Sequence, residues 1–402
     1  MRYPAGVKKR SASVSTTPAP RPAADIGAEI GADVAATIAR AVAEAGGWLP
    51  FDRFMALALY APGQGYYSRD AGQIGAWPAG GPAGGDAGGT GSDFVTAPEL
   101  SPLFGRALAV QVAQALTASA TDELWEFGAG TGALAAQLLE ALDAFGVRVR
   151  RYHIVDLSGA LVARQRARLA DHGERVQWHA RLPASIEGVV VGNELLDAMP
   201  VKLLRRQGDG WMERGVVVDG NGDGFGWADR PTAHRPPPPA EAMPDGSVTE
   251  IHPQAEAFVR TLAATLRRGA VFLIDYGFPE AEYHHPQRRG GTLMCHRGHR
   301  ADADPLVDVG LKDITAHVNF SAIALAAQDA GLEVLGYTSQ ARFLLNCGIA
   351  AMIEAAPLPA RVAAQRLLHE HEMGELFKVI GLARGCSFDA VGFAAGDRTH
   401  RL

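Results

Sequence analysis

The 402-residue chain has three cysteines, Cys295, Cys347 and Cys386, and no C-x-x-C pair. That spacing gives neither a zinc ribbon nor a disulfide framework, so no metal site is expected and a reducing compartment is. No stretch of about eighteen apolar residues free of charge occurs, so no spanning helix is expected. Long basic blocks are missing too: 38 Lys and Arg stand against 44 Asp and Glu, a formal net charge of −6. Such a balance does not neutralise a phosphate backbone, and nucleic acid is not an expected partner. What remains is ordinary globular material, 47% hydrophobic and 20% charged. At this length a single core has stopped growing, so one large α/β domain with an inserted or appended unit is expected.

Residues 123–132 read Glu-Leu-Trp-Glu-Phe-Gly-Ala-Gly-Thr-Gly. An apolar run stops at three glycines spaced by single small residues, and the Ala- and Leu-rich stretch Ala133 to Leu142 follows with good helical propensity. The glycines Gly128, Gly130 and Gly132 therefore sit in a turn between a strand and a helix, where a missing Cβ lets a ligand touch the backbone. The next apolar run, Tyr152-His153-Ile154-Val155, ends at Asp156, where a ribose hydroxyl pair needs an acceptor. A dinucleotide fingerprint, G-x-G-x-x-G, would put the third glycine three positions after the second; here the interval is two. The cofactor expected is S-adenosyl-L-methionine, which carries an amino-acid tail and a sulfonium and has no phosphate to seat on a helix N-terminus. A nucleotide-dependent oxidoreductase is the alternative on this turn.

Along the chain, residues 1–24 hold Lys8, Lys9, Arg10 and Arg21 and no acid before Asp25, a composition that resembles a transit peptide. Pro18, Pro20 and Pro22 break any helix there and favour a disordered tail, taken to run over 1–32. Helical patterns at 34–45 and 51–59, the turn-rich aromatic segment Tyr60-Ala-Pro-Gly-Gln-Gly-Tyr-Tyr67, a Gly-rich loop at 71–92 and a helix from Leu103 to Leu116 make an N-terminal region over 33–120. The cofactor core is assigned to 121–200, with strands at 123–127, 150–155, 175–179 and 187–192 alternating with helices at 133–142 and 159–170. Residues 201–252 break the pattern with candidate strands Lys202–Arg206, Trp211–Val218 and Val248–Ile251 and read as an inserted antiparallel unit, a surface for a protein substrate or for a second copy in a homodimer. Helix 254–267, strand 270–275, helix 321–330 and strands 332–337 and 377–383 complete the core over 253–384, and 385–402 is a C-terminal tail. The fold class is α/β: a Rossmann-like, mostly parallel sheet with helices on both faces. Its strand ends supply the chemistry, at Gly128–Gly132, Asp156, 193–197 and Asp275-Tyr276-Gly277.

Four segments in order, Asp93–Ser101 (DFVTAPELS), Glu126–Gly132 (EFGAGTG), Asn193–Val201 (NELLDAMPV) and Asp313–Val318 (DITAHV), resemble the MidA-like family of S-adenosyl-L-methionine-dependent methyltransferases. The resemblance runs from about residue 33 to residue 384. It implies a protein arginine methyltransferase whose mitochondrial members serve assembly of respiratory complex I, hence a protein substrate, with a complex I subunit as the example. Carried over by motif, Gly128, Gly130 and Gly132 line the methionine part of the cofactor, Asp156 holds the ribose, and Asn193 and Glu194 follow the fourth strand, where acceptor-binding residues are common. Asp156 stands where a glutamate is usual, Met294-Cys295-His296 replaces a more aromatic segment, and the Gly-rich loop is longer than the family's. An arginine acceptor is a planar cation, so a carboxylate pair, Glu194 with Asp197, is the expected cradle, and His317 the candidate proton acceptor. Asp93, Thr96 and Ser101 are expected to close over the cofactor. A non-catalytic assembly chaperone retaining the fold is the alternative from another class. The Ala- and Gly-rich composition points to a bacterial cytoplasm, with the mitochondrial matrix as the second setting.

Overall fold

The aliphatic and β-branched runs between glycine turns pair into one sheet in the computed structural model, which describes residues 23–68, 95–220, 224–298 and 300–402, with side chains from residue 31 onward. Across the sheet the order is Glu333–Ser339, Phe377–Arg384, Leu266–Phe278, Ile186–Asn193, Glu123–Phe127, Arg151–Val155 and Val176–His179. The strand Phe377–Arg384 runs antiparallel to both neighbours; the other pairings are parallel. The chain starts at Glu123–Phe127, builds outward to Val176–His179, then crosses back to lay Ile186–Asn193 on the other side of its first strand. Strand order reverses there, and in an open α/β sheet the crevice beyond the carboxyl ends at such a reversal takes the ligand.

Helices cover both faces. Pro102–Ser119 and Ala133–Ala144 bury Phe104, Leu108 and Leu138 against one face with Ile154, Val191 and Phe272. Pro253–Thr265 and Phe320–Asp329 bury Leu262 and Phe320 against Val190 and Leu273 on the other. Consecutive Val189, Val190 and Val191 are therefore all buried, as expected for a strand covered on both sides. Each such aliphatic or aromatic side chain contributes about 1.5–3 kcal/mol, so these faces hold the sheet rigid beneath the crevice.

A second core sits above the strand ends. Lys202–Gln207, Gly210–Val218, Phe225–Pro231 and Val248–Ile251 form an antiparallel sheet, which the short strand Leu49–Pro50 joins by pairing with Gly215 and Val216. The N-terminal helices contribute Val34, Ile38, Phe51, Phe54 and Met55, the insert Val201, Leu203 and Val216, and a three-stranded sheet at Met294–Arg297, Arg300–Asp302 and Asp313–Thr315 contributes Cys295 and Ile314. Insert and N-terminal region are thus one packing unit.

Several elements depart from the sequence reading. The first helix is Ala23–Glu44, starting inside the expected tail of 1–32; Ala-rich spacing outweighs the scattered prolines before it. The insert has a fourth strand, Phe225–Pro231, hidden by its polar composition. Helices Gln340–Asn346, Ile349–Ala355 and Leu358–Leu368 fill 340–368, burying Phe343, Ile349 and Leu367 in the main core. Residues 385–402 are docked: Phe393 is buried against Phe343, and Asp397 Oδ1 accepts the Tyr337 amide at 2.9 Å. The Gly-rich loop at 71–92 lies outside the described residues.

Candidate functional site

Beyond Phe127 the chain turns through Gly128 (φ 66°) and Gly130 (φ 53°), left-handed conformations that glycine adopts without strain. A cavity of about 820 Å³ opens there, lined by residues 128–131 of the turn and by Asp156, Leu157, Asn193, Glu194 and Asp197, among others. Its size is that of a small-molecule site with room to spare.

At one end, Asp156 is already oriented. Its Oδ1 accepts the Ser158 amide at 2.9 Å, and its Oδ2 accepts Gln165 Nε2 at 2.7 Å. The same nitrogen donates to the Gly130 carbonyl at 2.9 Å, while Gln165 Oε1 accepts from Trp178 Nε1 at 3.1 Å. Gln165 thereby ties the glycine turn to the acid. Burial raises the Asp156 pKa, and the bonds from Ser158 and Gln165 oppose it. Leu157, 81% exposed, stands at the mouth beside it. Glu99 accepts hydrogen bonds from Thr131 and, at 2.7 Å, from Arg168, which pins the short helix Ala97–Leu100 onto the turn.

The other end is acidic. Glu194 holds a left-handed backbone (φ 52°), unusual without glycine, so its neighbours must impose it. They do: its amide donates to the Ile274 carbonyl at 2.9 Å, and Asp275 Oδ2 accepts the next two amides, Leu195 at 3.0 Å and Leu196 at 2.8 Å. Asn193 Nδ2 donates to Glu194 Oε1 at 2.9 Å. Burial pushes the Glu194 pKa up to about 8, with the Asp197 charge adding to it. Burial likewise raises Asp197 and Asp275, which are 3% and 1% exposed. Asn193 Oδ1 and Asp197 Oδ1 are buried without a hydrogen-bond partner. Tyr60 and Tyr67 complete this wall, donating to the Ala198 carbonyl at 2.9 Å and to Asp313 Oδ1 at 2.8 Å.

Glu126, Asp156, Glu194, Asp197 and Asp313 all line the cavity, and Arg181 is the one Lys, Arg or His among its described lining residues. A lining of carboxyl groups with a single guanidinium offers a pyrophosphate little compensating charge and suits a ligand with a sulfonium and an amine. A glycine backbone to lie against, an oriented acid for a ribose and an unsatisfied Asn193 oxygen make the residues present fit S-adenosyl-L-methionine.

Of the residues expected to act, Glu194 and Asp197 meet in the wall, and Gly128, Gly130, Asp156, Asn193 and Thr96 line the same cavity. Three are elsewhere. Gly132 (φ 82°) starts the helix Ala133–Ala144 and faces Gln165, and Ser101 is a buried N-cap whose Oγ accepts the Leu103 amide. His317 stands off the cavity, its ring stacked on Phe278 at 5.2 Å, and burial pushes its pKa down to about 4, a poor proton acceptor. Asp93 lies outside the described residues. Sequence reading missed Glu126, Tyr60, Tyr67 and Asp313 as cavity residues and Gln165 as the buried tie behind them; a glutamate inside the apolar strand run and the aromatic pair after a helix were the available signals.

A family model of S-adenosyl-L-methionine-dependent methyltransferases matches residues 107–338. A COG1565 superfamily member from Burkholderia thailandensis, solved bound to S-adenosyl-homocysteine, is 52% identical, with a TM-score of 0.88 over 96% of this chain and 100% of that one. Protein arginine methyltransferase NDUFAF7 homolog, mitochondrial, of Caenorhabditis elegans is 27% identical over 74% of this chain and 72% of its own. The human protein arginine methyltransferase NDUFAF7, mitochondrial, is 25% identical over 72% and 73%. The glycine turn, the oriented Asp156 and these likenesses agree: the chain belongs to the MidA-like family of S-adenosyl-L-methionine-dependent methyltransferases.

Proposed function

We propose that the enzyme methylates arginine on a protein substrate, and that the acids Glu194 and Asp197 hold the acceptor. The observation that carries this is a pair of carboxyl groups, buried Asp197 and half-buried Glu194, in the wall of the cavity that the glycine turn opens. When bound, S-adenosyl-L-methionine supplies an electrophilic methyl group on a sulfonium. The chain's part is orientation and charge placement. A guanidinium entering between Glu194 and Asp197 meets acceptors that match its planar donors, and its charge compensates carboxylates that are otherwise costly to bury. The transfer leaves a proton on the methylated nitrogen, and Glu194, with a pKa pushed up to about 8, is a suitable receiver for it. Asp275 does not line the cavity; by holding the Leu195 and Leu196 amides it is a positioning residue for Glu194.

The relatives named protein arginine methyltransferases support the arginine reading. The family resemblance makes a respiratory complex I subunit the first substrate to try, and the likeness to a Burkholderia thailandensis protein supports a bacterial setting. Incubation with deuteromethyl-labelled cofactor and that subunit, read by mass spectrometry, gives labelled arginine with the wild type and little with Glu194→Ala. Label on another residue type, or undiminished product from the variant, overturns the reading. An assembly chaperone without catalysis predicts the opposite: partner binding retained and no label.

A further inference from the structure

Tyr60 and Tyr67 owe their place in the cavity wall to the aromatic segment after helix Phe51–Tyr60. Helix Phe51–Tyr60 ends at Ala61-Pro62-Gly63-Gln64-Gly65, and the chain folds back so closely that a Cβ on Gly65 would lie 2.6 Å from the Leu59, Tyr60 and Ala61 backbone. The amides of Tyr66 and Tyr67 then donate to the carbonyls of Ala58 and Leu59, at 2.9 and 2.8 Å. Tyr67 is thereby laid on Tyr60, ring centroids 5.6 Å apart and planes 21° from parallel, and the fully buried Tyr66 braces it edge-on at 5.0 Å. Both hydroxyls are used, by the Ala198 carbonyl and by Asp313, so the ring bodies are what these tyrosines offer the cavity they line. Carboxylates surround them. Asp313, Asp197 and Asp156 all act on Tyr60, and Asp313 and Asp197 on Tyr67.

We propose that Tyr60 and Tyr67 are specificity-determining residues that form the aromatic wall of the acceptor subsite and select a planar cation there. The proposal rests on the arginine reading above and deepens it. Fixed aromatic rings beside carboxylates attract a cation through their negative faces and, unlike further acids, do so without adding buried charge. A flat guanidinium gains stacking as well, which a compact ammonium does not. The wall comes from the N-terminal unit and Glu194 and Asp197 from the end of the strand Ile186–Asn193, so the packing between the two units sets the width of the slot.

The test is fluorescence anisotropy of labelled Gly/Ser peptides carrying one central arginine, lysine or citrulline, titrated with the full chain in saturating S-adenosyl-homocysteine. Wild type is expected to bind the arginine peptide at least tenfold more tightly than the citrulline peptide, and more tightly than the lysine peptide. Tyr60→Leu and Tyr67→Leu are expected to weaken the arginine peptide by about tenfold, with S-adenosyl-homocysteine affinity within twofold of wild type. Tyr60→Phe and Tyr67→Phe, which keep the ring, stay within about threefold and guard against a folding defect. Unchanged arginine affinity in the leucine variants, or equal loss in the phenylalanine ones, overturns the aromatic wall while leaving the arginine reading intact. Equal binding of arginine and citrulline peptides by wild type overturns both.

Discussion

The two ends of the cavity are built by opposite means. At the cofactor end the contacts come from backbone and from one local stretch: the glycine turn, then Asp156 with Ser158 and Gln165 a few residues on. At the acceptor end the groups come from distant parts of the chain, Tyr60 and Tyr67, Glu194 and Asp197, Asp275, and Asp313. At the first end the acid is oriented before any ligand arrives. The second stores electrostatic cost: acids with raised pKa values, an orphaned Asp197 oxygen and a left-handed glutamate. Generic recognition of a shared cofactor needs only the former, while catalysis on a particular acceptor requires groups that a bound cation relieves.

The sharpest way to break this contrast is at the turn. Gly130→Val puts a β-branched side chain at φ 53° against the cavity, and should weaken S-adenosyl-homocysteine binding by at least about 100-fold in calorimetry with an unchanged circular dichroism spectrum. Acceptor-side substitution should do the reverse. Glu194→Gln should leave that affinity within a few-fold and lower kcat/KM for the acceptor by roughly 10²–10³. The same variant bears on pH. Since a carboxylate and not a carboxylic acid holds a cation, wild-type kcat/KM for the acceptor should climb as pH rises from 6 and level off above about 8, and Glu194→Gln should lose that limb.

Smaller effects separate the ends further. Gln165→Ala removes hydrogen bonds to both Gly130 and Asp156, each worth about 1 kcal/mol, and should raise the cofactor KM about tenfold with the acceptor KM unmoved. Stability should respond to pH at the acceptor end. From pH 4.5 to about 8 the unfolded chain has released the Glu194 proton and the folded chain has kept it, so the native state binds more protons and loses stability as pH rises. Glu194→Gln should therefore stabilise the ligand-free protein on the order of 1–3 kcal/mol at pH 8 and by little at pH 5, read by thermal melts.

That division also explains what the sequence makes legible. The strand, turn and helix at 123–144 and the acid at 156 are local signals, and the βα alternation suffices for a Rossmann-like sheet. The acceptor wall is a tertiary product. Nothing near Asp313 announces that Tyr67 will reach it across the second core, and the Ser101 position, attractive by motif, goes to capping a helix. His317 shows the same limit: a histidine, with an ordinary pKa near neutral, looks suited to proton transfer until packing stacks it on Phe278. The three helices over 340–368 escaped because their short apolar spacings, interrupted by Gly348 and Pro357, carry too few turns for periodicity to show.

The most direct measurement is a crystal structure with S-adenosyl-homocysteine bound. The account predicts the homocysteine backbone along Gly128–Gly130, the ribose on Asp156, and the sulfur turned toward Glu194, Asp197 and the Tyr60–Tyr67 wall. A sulfur facing Arg181 and Leu182, with the acids left behind the adenine, would contradict it.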